Sequence, residues 1–308
     1  MATPYARPYE SKLGIVTGGS RGSRPDSNLS RRQGIGAAVA ARLAAKGCHL
    51  LLIYTSDSST QTTKQLCKDL SSTHNIQCSY VQADLGNPAD AATKIVAAAR
   101  TFFASYNQTG KFQVDILINN AGVASNQHLN DVEQGPILEA EFNRVYAVNV
   151  LAPLLVTQAV APYLPTDRSG RIVSVSSVSS SIGYQGQSVY AGSKAALEAM
   201  TRTWSRELAS RATVNAVNPG PAWGDMYAAV GKSFWDINQP YVDASPLAEY
   251  HGEPETLAKA GSDAERFDKI VRESMGGRRP GFTSEIAGTI DMLCSEESGV
   301  DNWQRYLR

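Results

Sequence analysis

The sequence predicts an α/β fold, one domain built on a parallel sheet. Three observations carry that prediction. Short apolar runs alternate with helix-forming stretches along most of the chain, the order that successive βαβ units require. A glycine-bearing segment separates the first apolar run from the first helical stretch. The 308 residues, 42% hydrophobic and 19% charged, are enough to bury one large core.

In chain order, residues 13–16 read as the first strand, which runs into Thr17-Gly18-Gly19-Ser20-Arg21-Gly22. The Ala-rich stretch 36–46 reads as the first helix, and the apolar runs 49–54 and 78–82 as the second and third strands, with a polar helical stretch between them. An Ala-rich helix over 89–103 precedes a fourth strand at 114–119, and a long helical stretch follows over 136–164. Residues 171–176 and 213–218 are the fifth and sixth strands. Between them, small residues after Tyr190 (Ala191, Gly192, Ser193, Ala195, Ala196) favour a helix. The stretch 223–280 is different: aromatic, dotted with Pro and weakly periodic, it is expected to cover the mouth of a pocket. No internal repeat or linker interrupts the chain.

Charge excludes several function classes. Lys plus Arg equals Asp plus Glu at 29 each, so no basic surface for nucleic acid or anionic membrane is expected, and a small neutral partner is favoured. Residues 1–12 contain no apolar run of signal-peptide length, and no stretch approaches ~20 uninterrupted apolar residues, so a cytoplasmic protein is expected. Cys48, Cys67, Cys78 and Cys294 are scattered without metal-ligand spacing and do not cluster with His49, His74, His128 or His251. Reduced thiols and no metal are expected.

The chemistry concentrates at Tyr190 and Lys194. Four residues apart on a helix, they share a face, so the ammonium stands beside the phenol. A phenol with a pKa of about 10 is a poor proton donor or acceptor near neutrality unless a fixed positive charge favours its phenolate, and Lys194 can supply that charge. Ser177, just past the fifth strand, can hold a carbonyl oxygen against the phenol. The trio describes a way to move one proton beside a hydride. Alone, a Tyr and a Lys at this spacing also fit a solvated helix face, so the rest of the chain must decide.

Ordered motifs decide it. Thr17-Gly18 with Gly34-Ile35-Gly36, Asp84-Leu85, Asn119-Asn120-Ala121-Gly122, Asn149, Ser177, Tyr190, Lys194 and Pro219-Gly220 together resemble the short-chain dehydrogenase/reductase family, close to its 3-oxoacyl-carrier-protein reductases. The resemblance covers about 12–226 and resumes near 278–298. It implies a Rossmann-type doubly wound parallel sheet and a ketoreductase that passes hydride between a nicotinamide cofactor and a carbonyl. In that reading Tyr190 donates the proton, Ser177 positions the oxygen, Lys194 lowers the tyrosine pKa and binds the nicotinamide ribose, and Asn149 holds a water that returns the proton. The cofactor would lie on Thr17, Gly18, Ser20, Arg21, Gly34, Ile35 and Gly36 at the pyrophosphate, with Asp84 and Leu85 at the adenine. Asn119, Ala121 and Gly122 would serve the adenosine and ribose side, and Pro219 and Gly220 the nicotinamide. Each has a plainer alternative: turn, helix cap, strand end or solvated helix position.

The second strand ends Ile53-Tyr54-Thr55-Ser56, with no carboxylate to bind a ribose diol and repel a 2′-phosphate. Hydroxyls of Thr55 and Ser56 and a guanidinium from Arg21 or Arg32 would suit that phosphate, so NADP(H) is favoured, while Asp57 is near enough to keep NAD(H) open. The chain departs from the family in three places. About twelve extra residues, including 23–33, interrupt the glycine loop, leaving Gly22 and Gly34 competing for one role; Gly34, which leads directly into the helix, is favoured. Gly224 stands where the family usually has a Thr for the nicotinamide carboxamide. Past Gly299 the usual final strand is expected to be missing or shortened. The aromatic segment suggests a bulky or secondary-metabolite ketone, with plain packing of Trp223, Tyr227, Phe234, Trp235, Tyr241 and Tyr250 as the alternative. The departures also leave open a nucleotide-binding protein that does no redox chemistry, serving as sensor, partner subunit or cyclisation scaffold. The resemblance implies a homodimer or homotetramer, paired through 136–164 and the Tyr190 helix.

Overall fold

Six strands of four to six residues lie parallel, side by side: β1 (Leu13–Thr17), β2 (His49–Tyr54), β3 (Cys78–Gln82), β4 (Ile116–Asn119), β5 (Gly170–Val175) and β6 (Ala212–Val217). In the computed structural model, which describes residues 7–20, 34–228, 231–244, 247–299 and 305–306, a two-residue strand β7 (Arg305–Tyr306) pairs with Ala216 and Val217 at the edge. The final strand is therefore shortened rather than lost. The sheet order is β7-β6-β5-β4-β1-β2-β3, the doubly wound topology. Arg21, Arg32 and the insertion 23–33 lie outside the described residues.

The central strands read as continuous apolar runs because both faces of a parallel sheet are covered. Alternation assigns Val16, Leu50, Leu52, Ile118 and Val173 to a core shared with α1 (Ile35–Ala45) and the last long helix, α9 (Thr283–Cys294). Leu13, Ile15, Leu51, Leu117, Ile172 and Val214 face the other core. There they meet α3 (Pro88–Tyr106), α4 (Glu139–Tyr163) and α5 (Ser188–Glu207); α2 (Thr60–His74) lies over β2 and β3. The long helix α4 is apolar enough by composition to cross a bilayer, yet here Val145, Ala152, Val156 and Val160 are fully buried against the protein's own core. At Ala147–Leu151 it carries a π turn, with Asn149 in the middle.

Residues 223–280 form α6 (Lys232–Asp243), α7 (Pro254–Ala260) and α8 (Ala264–Ser274) around a small core of their own. Trp223 and Phe267 meet edge to face at 5.0 Å between ring centroids, as do Tyr250 and Phe267 at 5.4 Å. A short parallel ladder, Ala222–Trp223 against Gly281–Phe282, fastens this unit to the main domain.

Candidate functional site

Ligands of open parallel sheets bind beyond the carboxyl ends of the strands, where the strand order reverses. Here that point lies between β1 and β4, and a cleft of about 440 Å³ opens beside it. Gly18, Ser20, Gly34, Ile35, Gly36, Tyr54, Thr55, Ser56, Asp84, Leu85, Ala121, Gly122, Ser177, Tyr190, Lys194, Pro219 and Gly220 all line it. Residues far apart in sequence are thus brought to one wall.

The glycine end fits an anionic cofactor. Gly18 takes a positive φ of 66°, a conformation costly for any residue with a Cβ. A Cβ on Gly36 would stand 2.5 Å from the Gly18 carbonyl oxygen and 2.5 Å from Asn120 Nδ2. Helix α1 starts behind Gly34 with no side chain capping its first turn and no acidic residue in it, so its N–H groups and positive dipole end face the cleft. A Gly36→Ala substitution is expected to cost about 1–3 kcal/mol through this clash and to weaken nicotinamide nucleotide binding. Thermal unfolding and a fluorescence titration would read the two effects, and a variant matching the parent in both would mean the loop is slack.

Two predicted cofactor residues stand behind the wall. Thr17 is buried, its Oγ1 donating to the Ile118 carbonyl at 3.2 Å and accepting from the N–H groups of Asn120 and Ala121 at 3.0 and 3.1 Å. Asn119 is buried too, its Nδ2 donating to Thr157 Oγ1 on α4 at 3.0 Å. Successive strand residues point to opposite faces, so Asn120 takes the cleft side, where its Nδ2 holds the carbonyls of Thr17 and Gly18 at 2.8 and 3.2 Å. Asp84 lines the cleft while accepting from the Gly86 N–H at 2.9 Å in an Asx turn, so the plainer reading of that residue also holds. Asp57 does not line the cleft; its carboxylate accepts from Gln82 Nε2 at 2.7 Å.

At the other end, Ser177 follows β5, its hydroxyl donating to Ser179 Oγ at 3.1 Å and accepting from the Ser179 N–H at 3.2 Å. Burial pushes the Tyr190 pKa up, and the nearby Ser177 hydroxyl pulls in the opposite direction. Lys194 is buried, its Nζ 5.8 Å from the Tyr190 ring centroid and 2.8 Å from the Val175 carbonyl, to which it donates. Burial brings the Lys194 pKa down to about 8, against the attraction of Glu198. A Cβ on Gly122 would lie 3.2 Å from Lys194 Nζ and 3.3 Å from Asn149 Oδ1, so these three residues converge. The Asn149 side chain is itself occupied: Oδ1 accepts from the Val123 N–H at 2.9 Å, and Nδ2 donates to the Val123 carbonyl at 2.9 Å and to Ser193 Oγ at 3.0 Å. That amide ties the π turn to the loop after β4. π turns recur at functional sites because they present groups an α-helix would not.

Sequence reasoning passed over Glu198. It is 2% exposed, one turn beyond Lys194, and one carboxylate oxygen accepts from Ser176 Oγ at 2.8 Å and Asn218 Nδ2 at 2.6 Å. It thereby joins α5 to the segments before Ser177 and Pro219. Because Glu198 holds the Lys194 pKa up, Glu198→Gln is expected to move the alkaline limb of the pH–rate profile to lower pH. An unmoved limb between pH 6 and 10 would contradict that coupling. Thr283 was also missed: it lines the cleft, and its Cγ2 would stand 3.9 Å from a Cβ on Gly224, setting a hydroxyl-bearing residue beside the position where the family's Thr is absent.

The aromatics of 223–280 divide. Tyr227, Phe234 and Trp235 line the same cleft as Tyr190, whereas Trp223 and Tyr250 belong to the local core. Tyr241 packs edge to face on Tyr184 at 5.4 Å.

Comparison with known proteins agrees with this geometry. The family model for short chain dehydrogenase matches residues 30–233. The chain is 66% identical over 297 residues to an L-xylo-3-hexulose reductase of Hypocrea jecorina, covering 96% of this chain and 94% of that one. It is 54% identical over 294 residues to an L-xylulose reductase of Aspergillus niger, covering 95% and 94%. Among solved structures, a blue fluorescent protein from a metagenomic library, in complex with NADPH, is 26% identical and superposes with a TM-score of 0.71, covering 97% of each chain. With the cleft, the Ser177–Tyr190–Lys194 group and these matches in hand, the chain belongs to the short-chain dehydrogenase family, as an NAD(P)-dependent oxidoreductase that interconverts a carbonyl and an alcohol.

Proposed function

We infer that the protein reduces the keto group of an open-chain sugar, in the manner of an L-xylulose or L-xylo-3-hexulose reductase, with NADPH. The observation that carries the substrate class is the near-full-length similarity to the two fungal sugar reductases. It replaces the 3-oxoacyl or secondary-metabolite ketone that the sequence suggested. Three features support NADPH: Thr55 and Ser56 line the cleft, Asp57 is turned away toward Gln82, and a structurally similar protein is in complex with NADPH. The nicotinamide nucleotide, when bound, supplies the hydride. The chain's own residues do the rest. Ser177 donates a hydrogen bond to the carbonyl oxygen, and Tyr190 donates the proton that oxygen needs as it becomes an alkoxide. Lys194 offers a nearby positive charge, and Gly18, Gly34 and Gly36 let the backbone approach the pyrophosphate. A homodimer or homotetramer paired through α4 is part of this reading, supported by the exposure of Leu138, Phe142 and Leu151 on and beside that helix.

The test is to follow oxidation of NADPH and of NADH by the purified protein with L-xylulose and with an acetoacetyl thioester. Turnover of L-xylulose with NADPH in preference to NADH is expected. Faster turnover of the thioester would overturn the substrate class, and preference for NADH would overturn the cofactor.

A further inference from the structure

Among the described residues, seven buried side-chain nitrogen or oxygen atoms have no hydrogen-bond partner, and only two of them, Gln187 Oε1 and Trp235 Nε1, belong to residues that line the cleft. Both residues are more than nine-tenths buried, at 6% and 7% exposure. A buried polar atom without a partner is expensive, so atoms left this way on residues that line a ligand cleft point to a ligand group that completes them.

Their surroundings fix them in place. Gln187 stands just before α5, three residues ahead of Tyr190 and so near the same face. Its Nε2 donates to Asn126 Oδ1 at 2.8 Å, which leaves Oε1 as the end that can accept. The neighbouring backbone is tied as well, the Gln127 N–H donating to the Gly186 carbonyl at 2.7 Å. Trp235 lies on α6, which Asn238 fastens down by accepting from the Gln185 N–H at 3.2 Å while its Nδ2 donates to the Phe234 carbonyl at 2.9 Å. The helix that carries Trp235 is thus docked on the segment that carries Gln187.

The geometry points to a hydroxyl-reading subsite in which Gln187 Oε1 accepts a hydrogen bond from, and Trp235 Nε1 donates one to, hydroxyl groups of a polyhydroxy ketone whose carbonyl lies between Ser177 and Tyr190. The proposal deepens the ketose reading and rests on it. The chemistry is selective. Oε1 needs a donor and Nε1 an acceptor, and a hydroxyl is both, whereas the carbonyl oxygens of an acyl thioester only accept and an alkyl chain does neither. A site that hydrogen-bonds a substrate hydroxyl rejects the analogue without it far more strongly than an apolar pocket rejects a missing methylene.

Gln187→Met and Trp235→Phe remove one polar group each and keep most of the side-chain volume; Trp235→Phe is the milder, since it retains an aromatic ring. For each variant and the parent, kcat/KM is measured with L-xylulose and with 2-hexanone, and NADPH binding is titrated to establish that the variant folds. The ratio of the two kcat/KM values, L-xylulose over 2-hexanone, is expected to fall by about 10- to 100-fold in each variant, mainly through KM for the sugar. A ratio within twofold of the parent in both variants, with NADPH still bound, overturns the subsite while the ketose reading stands. A parent protein that does not reduce L-xylulose sinks the ketose reading itself, and the subsite with it.

Discussion

Replacing Tyr190 with phenylalanine is expected to lower kcat/KM for carbonyl reduction by about 10²–10⁴-fold, the range that a positioned proton donor contributes, while the nicotinamide nucleotide still binds. The phenol lines the cleft together with Ser177, and burial favours its protonated form, the one a donor must start from. Phenylalanine keeps the ring and its packing, so the loss falls on the proton and not on the fold. Residual activity above a tenth of the parent would mean that another group, or water, delivers the proton. Ser177 alone can orient the carbonyl oxygen but has no comparable acidity.

Lys194→Met is expected to move activity and stability in opposite directions. Burial depresses the lysine from its ordinary value to about 8, so below that pH the folded protein carries a desolvated ammonium. At ~1.36 kcal/mol per pKa unit the penalty is about 3 kcal/mol, of which the hydrogen bond lost at the Val175 carbonyl returns about 1 kcal/mol. The variant should therefore be more stable than the parent by about 2 kcal/mol near pH 7. The sign with pH follows from proton binding: between pH 8 and the ordinary lysine range the unfolded chain holds more protons than the folded one, so the parent's stability rises there. The variant should lack that rise. Its reductase activity should be nearly abolished, because the charge beside Tyr190 is gone. Thermal melts of both proteins at pH 7 and pH 9.5 test the claim, and a variant less stable than the parent at pH 7 would refute it. For the parent, reduction should decline above about pH 8 as Lys194 loses its proton.

The opposing effects at Lys194 bear on what could be read from the chain. The strands were legible because each is an apolar run buried on both faces, and the predicted ranges 49–54 and 78–82 coincide with β2 and β3. Ser177, Tyr190 and Lys194 were legible because a helix and a strand end fix their relation locally. Asn120 was eclipsed by Asn119, since choosing between neighbours requires knowing which face of β4 meets the cleft. Trp235 was legible only as one of six aromatics near the pocket mouth, and Gln187 and Glu198 were not legible at all. Their significance lies in a missing partner or in partners about twenty or more residues away, and neither leaves a local pattern. The departures that kept a non-redox reading open proved compatible with an intact cleft and an oxidoreductase family.

The π turn of α4 carries a consequence for how this helix tolerates change in length. Each residue of an α-helix advances about 100° around the axis, so the extra residue held at Ala147–Leu151 sets the two halves of α4 at different angular phases. One phase buries Val145 and the other Val156 and Val160. A single-residue deletion at Val148 would regularise the backbone ladder and yet swing everything on one side by about a quarter turn or more, taking either the Asn149 amide off Val123 or the valines out of the core. The helix is therefore a vernier, in which one surplus residue lets a packing face and an active-site amide be aligned independently.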